Sequence, residues 1–321
     1  MKTLVKSFWI GGFFICGILA LSGQVPMSTE PSTPINSAVN SIAAPESSLQ
    51  SPSILSGLIN LEFSNYHLTA RGLNLQNQGL VSQPKLLLYW KLYASRDRAA
   101  DINEVALTTG VWNDVDTVQS GIRPGNWNEI DPSAGVNVKF LRDWTFESPF
   151  TAFMSESHSY PTCWNWNPRL TYHDHFLPNF SFNSYVELFY EISNKSTIVF
   201  DRTKSHPGYY GALGFDPTYA FTDIPLKLEL PTYLTLPSDK FYQRHDGSGG
   251  GTGLGLISTM FKATVPLEFI PKSDGEWSVY AGVQYDYLNN PGLLDGNQFD
   301  GAAHSRERNI VQYHAGVTIR F

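Results

Sequence analysis

Apolar and polar side chains alternate without a break along residues 311–321. Val311, Tyr313, Ala315, Val317, Ile319 and Phe321 hold one set of positions; Gln312, His314, Gly316, Thr318 and Arg320 hold the other. A period of two over that length predicts a β-strand with one apolar and one polar face. The pattern recurs upstream. Ile130, Pro132, Ala134, Val136, Val138 and Phe140 alternate with Glu129, Asp131, Ser133, Gly135, Asn137 and Lys139, and Ile224, Leu226, Leu228 and Leu230 enclose Lys227 and Glu229. With Gly, Pro, Asn and Asp as turn signals, the alternation predicts strands over 58–68, 84–95, 103–113, 127–140, 143–154, 164–172, 181–192, 208–221, 224–236, 253–270, 276–287 and 309–321.

The connections between these strands sort into two classes. Those near 141–143, 222–223 and 271–275 are short, and 96–102 and 173–180 are intermediate. The segments 69–83, 114–126, 155–163, 193–207, 237–252 and 288–308 are long. Short turns at one end and long loops at the other are what a membrane barrel requires, whereas a soluble sandwich has no reason for the asymmetry. The predicted fold class is therefore all-β: an antiparallel transmembrane β-barrel of about twelve strands over residues 54–321, an even count as single-chain bacterial barrels have.

In such a barrel the apolar face meets lipid and the polar face meets the lumen. A Lys or Arg near the midplane of the lipid face costs about 2–4 kcal/mol, and the charges here keep to the polar face. The expected lumen lining includes Lys85, Lys91, Glu129, Asp131, Lys139, Glu147, Arg169, Glu187, Glu191, Lys227, Glu229, Lys262 and Asp286. Outward aromatics at strand ends predict two girdles: Phe140, Trp144, Tyr172, Trp277 and Phe321 at the rim that holds the chain end, and Trp112, Trp164 and Tyr285 at the opposite rim. Pro149 and Pro231 fall inside predicted strands and demand bulges or shifted boundaries, because proline cannot donate to the ladder.

The N-terminus changes the picture in one respect. Lys2 and Lys6 precede the apolar run Phe8–Leu21 and a stretch of small residues, so residues 1–23 are expected to be a secretory signal peptide. Residues 24–53, rich in Ser, Pro, Thr and Asn, are expected to be a disordered periplasmic leader. Loss of Lys2 and Lys6 takes the formal charge from −7 to −9. That argues against nucleic acid as a partner, since nucleic acid needs a basic face. Cys16 leaves with the signal, so Cys163 has no intramolecular disulfide partner.

Candidate chemistry is sparse. Arg71-Gly72 sits in the first long loop, where Arg71 would line the mouth or Gly72 would make a turn. His173-Asp174-His175 has metal-ligand residue types, but consecutive residues on a strand point to alternate sides and no partner cluster accompanies them; no metal or cofactor is expected. The glycines of 247–255 lead into a strand, not into the helix that a phosphate loop needs. Ser157-His158 and Ser205-His206 are adjacent pairs, which cannot form a nucleophile–base couple on a strand, so an enzyme is not expected.

Several segments carry a family resemblance: Ile59 to Phe63, Tyr66, Arg71-Gly72, Gln83-Pro84, the aromatic-rich stretch 86–93, Gly110-Val111-Trp112-Asn113, and the terminal Phe321. Together they resemble the TorF-like porin family of bacterial outer-membrane β-barrel proteins. The Tyr66–Arg71 spacing is longer than the family's, and the loops differ. The resemblance implies an outer-membrane barrel of porin type. The expected function is diffusion of small hydrophilic solutes through a polar lumen. The alternatives are a non-conducting structural or surface-interaction barrel and, further off, an outer-membrane acyl hydrolase. The expected location is the outer membrane of a Gram-negative-type envelope with both termini periplasmic. The expected partners are outer-membrane lipid, the barrel-assembly machinery acting on the C-terminal strand, and the solute. Oligomeric state is open.

Overall fold

The computed structural model describes residues 54–97, 100–118, 126–156, 160–193 and 207–321. The expected signal (1–23) and leader (24–53) lie outside the described residues. Twelve strands run in order: β1 Leu55–Ser64, β2 Val81–Ala94, β3 Ile102–Asp116, β4 Trp127–Phe140, β5 Trp144–Phe153, β6 Cys163–Trp166 and Arg169–Tyr172, β7 Phe180–Ser181 and Ser184–Glu191, β8 Tyr209–Phe215 and Thr218–Ala220, β9 Lys227–Glu229 and Thr232–Pro237, β10 Leu256–Pro266, β11 Glu276–Leu288 and β12 Asn309–Arg320. Each pairs antiparallel with its neighbours in sequence, and β12 pairs with β1 from Leu58↔Arg320 to Ser64↔His314. The sheet closes on itself. Closure leaves no strand edge unpaired, which a wall facing lipid cannot tolerate.

The strand count and order agree with the alternation in the sequence. The main departure is at β1, which ends at Ser64 and not at residue 68; the chain then turns inward. The proline expectation resolves in the same way at several strands. β6, β8 and β9 are interrupted at Asn167-Pro168, Asp216-Pro217 and Leu230-Pro231, where a ladder donor is missing. Pro149 stays within β5. Its carbonyl accepts the Asn167 N–H at 3.0 Å, so its ring nitrogen faces the neighbouring strand where that strand is already broken.

Polarity is inverted relative to a soluble protein. Val186, Leu213, Phe261, Val283 and Tyr313 are exposed on the outer surface. On the inner face Glu62, Asn137, Glu191 and Gln312 are at most 1% exposed. An apolar exterior around a polar interior is the distribution that lipid outside and water or ion pairs inside would select.

The turns on the side of Leu55 and Phe321 are compact. Between β4 and β5, Leu141 and Arg142 turn the chain with φ of 47° and 68°. The longer connections lie at the opposite, loop rim. One contains helix α1, Pro291–Phe299, whose first turn is capped by the Asn290 side chain accepting from Gly292 and Leu293 N–H. Among the described residues no helix is long and apolar enough to cross a membrane.

Candidate functional site: a charged lumen closed by an inner hairpin

The charged residues of the expected lumen lining are buried or half-buried along the wall strands, and register decides which of them meet. Arg169 on β6 and Glu187 on β7 are cross-strand partners, with Nε to Oε2 at 2.8 Å and the Arg169 guanidinium 4.0 Å from the Tyr185 ring centre. Glu229 on β9 receives Lys227 at 3.0 Å, Lys262 of β10 at 2.8 Å and the Thr264 hydroxyl at 2.7 Å. Lys91 and Lys139 share Glu104 on β3 between them, at 3.3 and 3.6 Å. Asn137 donates to Glu147 at 3.3 Å, and Lys85 lies within electrostatic reach of Glu147 and Glu62. Glu191 accepts from the Gly208 N–H at 3.0 Å. Asp286 accepts from the side-chain amides of Gln284 and Gln312. Most of these contacts brace the wall across strands, and removing Arg169 or Glu187 singly would leave its partner buried and uncompensated.

Several further groups line the inner face. Glu62 accepts from the Tyr280 hydroxyl at 3.0 Å and meets His314 Nδ1 at 2.8 Å. Asp114 and Asp116 continue the inward positions of β3 beyond residue 113, where the expected strand stopped. One rim residue is corrected. Trp112 was expected outward, but it shares the inward parity of Glu104, Ala106 and Asp114, is buried, and stands 5.6 Å from the His67 ring. Val105, Leu107, Val111 and Val115 take the outward positions instead. Phe140, Trp144 and Tyr172 form a row along the terminal rim, with ring centres 6.5 and 5.1 Å apart, and Trp277 and Phe321 lie at the same rim. Trp164 and Tyr285 face outward nearer the loop rim.

The larger finding is the first long connection. After Ser64 the chain enters the barrel and forms a short hairpin, His67–Leu68 against Asn74–Gln76. Every residue from His67 to Gln76 is buried. Arg71-Gly72, expected in the first long loop either at the mouth or as a turn, forms the inner tip: Gly72 has φ of 88°, and its N–H donates to Thr69 O at 2.7 Å. A Cβ on Gly72 would lie 2.7 Å from Leu293 and 2.9 Å from Leu256, so both the backbone and the space require glycine.

The hairpin is fastened on several sides. His67 Nδ1 meets Asp114 Oδ2 of β3 at 2.8 Å. The Tyr233 hydroxyl of β9 donates to Ala70 O at 3.2 Å, and the Tyr242 hydroxyl donates to Arg71 O at 2.8 Å. From α1, Asn297 accepts the Asn74 N–H at 2.8 Å and donates to Gly72 O at 2.9 Å. Leu68, Leu73, Phe241, Tyr242, Leu288 and Leu293 pack into one apolar cluster in the loop half of the barrel. The Arg71 guanidinium lies 4.4 Å from the Phe153 ring centre and 5.6 Å from that of Phe189. Burial alone would push the His67 imidazole down. The Asp114 carboxylate, with Glu129 and Asp116 behind it, more than offsets this and raises it above its ordinary 6.5.

The remaining sequence candidates have local tasks. Asp174 accepts the Phe182 and Asn183 N–H groups at 2.6 and 2.8 Å where β7 is interrupted, and His173 bonds Thr145 at 2.9 Å. Cys163 is buried and its thiol donates to Pro161 O at 3.3 Å. The pairs at 157–158 and 205–206 lie outside the described residues.

No family model matches the chain, and no curated protein matches it. Among solved structures, it is similar to the NanC porin, 10% identical over 81% of this chain and 98% of that one, with a TM-score of 0.42. An outer membrane channel from Pseudomonas putida F1 is 10% identical over 93% of this chain and 100% of that one, with a TM-score of 0.44. The KdgM porin in complex with disordered oligogalacturonate is 13% identical over 83% and 99%, with a TM-score of 0.36.

Proposed function

We propose that this chain is an outer-membrane channel for small hydrophilic solutes whose loop-side entrance is restricted by the hairpin between β1 and β2. The observation that carries the reading is the inverted polarity of a closed barrel: an apolar wall encloses a lumen lined by Lys85, Glu147, Arg169, Glu187, Lys227, Glu229 and Lys262. The action is physical. A polar lumen replaces part of a solute's hydration, and the fixed charges bias which solutes pass. No chemical step is involved. On this reading the aromatic rows sit at the two membrane interfaces, both termini face the periplasm, and β12 is the strand presented to the barrel-assembly machinery. The segments Ile59–Phe63, Gln83-Pro84 and 110–113 support placing the chain with the TorF-like porins.

A second reading has its own support. The apolar cluster around Leu73, Phe241 and Leu293 fills the loop half of the barrel, as a permanently plugged structural barrel would. Swelling of liposomes that contain the refolded chain separates the two. The channel admits small neutral sugars and excludes large ones. A folded barrel whose liposomes swell in no sugar supports the plug.

A further inference from the structure

Asp114, Asp116, Glu129 and Asp131 lie together on the inner face of β3 and β4 near the loop rim; Asp114 and Glu129 are direct cross-strand partners, and Asp131 is the partner of Trp112. All four are at most 3% exposed. Two cationic groups from the hairpin approach them: His67 pairs with Asp114, and Arg71 lies within electrostatic reach of Asp131. Among the described residues, the four carboxyl groups outnumber the two cationic groups that approach them from the hairpin. Oxygen atoms are left over. Asp114 Oδ1, Asp116 Oδ1 and Asn128 Oδ1 have no donor in hydrogen-bonding geometry, while Asp131 lies against Glu129 and the Met154 backbone without a well-formed hydrogen bond to either. Buried acceptors of this kind call for a donor, and buried anions call for positive charge.

A second observation is independent of the acids. Arg71 is 3% exposed, its Nε has no hydrogen-bond partner, and its guanidinium lies over the Phe153 ring. The bridge Ile130↔Met154 sets Phe153 beside Asp131, with Trp112 on the other side. A cationic group thus already occupies a seat made of one carboxylate between two aromatic side chains. Carboxylates and ring faces together favour a guanidinium or ammonium. Among the described residues no three acidic or histidine ligands are placed to hold a metal ion, and the aromatic walls of the seat favour an organic cation.

We propose that this acid-and-aromatic compartment is the binding site for an amine- or guanidine-bearing solute, and that Arg71 fills it as a tethered competitor while the hairpin is closed. This rests on the channel reading for its biological use, but the binding itself does not require current. A solute cation that takes the Arg71 seat would favour withdrawal of the hairpin, since each can occupy the carboxylates only when the other leaves.

Isothermal titration of agmatine into the refolded full chain in detergent micelles tests the site. Arg71→Ala and Arg71→Met remove the competitor, the second keeping the contact with Phe153. Either folded variant should bind agmatine about tenfold more tightly than the parent chain. Adding Asp131→Asn should reverse the gain, and Arg71→Lys should bind as weakly as the parent. If neither neutral variant gains affinity, or if Asp131→Asn leaves the gain intact, the inference is overturned. Equal competition by magnesium would overturn the assignment to an organic cation. Solute flux without agmatine binding would remove this inference and leave the channel; agmatine binding without any flux would do the reverse.

Discussion

His67 and Asp114 meet at 2.8 Å inside the barrel, where both side chains are buried. The pair joins the inner hairpin to β3, and Asp116 of β3 and Glu129 of β4 also face the imidazole. Because the closed state raises the His67 value above 6.5, its contribution to closure is fully present below 6.5 and is lost as pH rises through the raised value. Current through planar bilayers should therefore be smallest in acid and increase as pH is taken upward from 6.5. His67→Gln should flatten that slope. Current that falls with rising pH, or a slope that survives in His67→Gln, would count against the latch.

Asn297 holds the hairpin tip with one side chain that both accepts and donates. Asn297→Ala would leave the Gly72 carbonyl and the Asn74 N–H buried without that partner. Each such group costs about 1–3 kcal/mol. The barrel wall is untouched, so its urea midpoint should change little. Hydrogen exchange at the amides of 67–76 should accelerate strongly, and unchanged exchange would show that α1 does not hold the hairpin.

Leu141 and Arg142 are turn residues in the left-handed region, which costs an L-residue with a side chain about 1–2 kcal/mol. Glycine escapes that cost but gives the unfolded chain about 0.4–1 kcal/mol of extra freedom. The Arg142 side chain is exposed, and its contact with Asp143 at 3.6 Å is a surface ion pair of small effect. Arg142→Gly should stabilise the barrel by about 0.5–1 kcal/mol, read as a higher urea midpoint in lipid. A lower midpoint would mean that the side chain contributes more than its exposure implies.

The sheet was legible in the sequence because a period of two survives in every long strand, from the polar row Glu129–Lys139 to the apolar row Val311–Phe321. What lies inside the barrel was less so. Leu68 reads as the end of β1, and Leu73 and Leu75 fall in the long connection 69–83; only the turn at Ser64 sends all three inward. Trp112 was misassigned because a tryptophan at a strand end suggests a membrane interface, while its parity with Glu104 and Asp114 says lumen. Partnerships such as Arg169 with Glu187 depend on register between strands, and local alternation does not carry that information.

A polar channel restricted by the hairpin should conduct more once the hairpin is removed. Ser64 and Val81 are cross-strand partners, so a two-residue Asn-Gly turn can replace residues 65–80 without altering the register of β1 and β2. Single-channel recording in planar bilayers should show small steps for the parent chain and several-fold larger, steady steps for the shortened one. If both fold as barrels and neither carries current, the channel is contradicted; if both carry the same current, the hairpin does not restrict it.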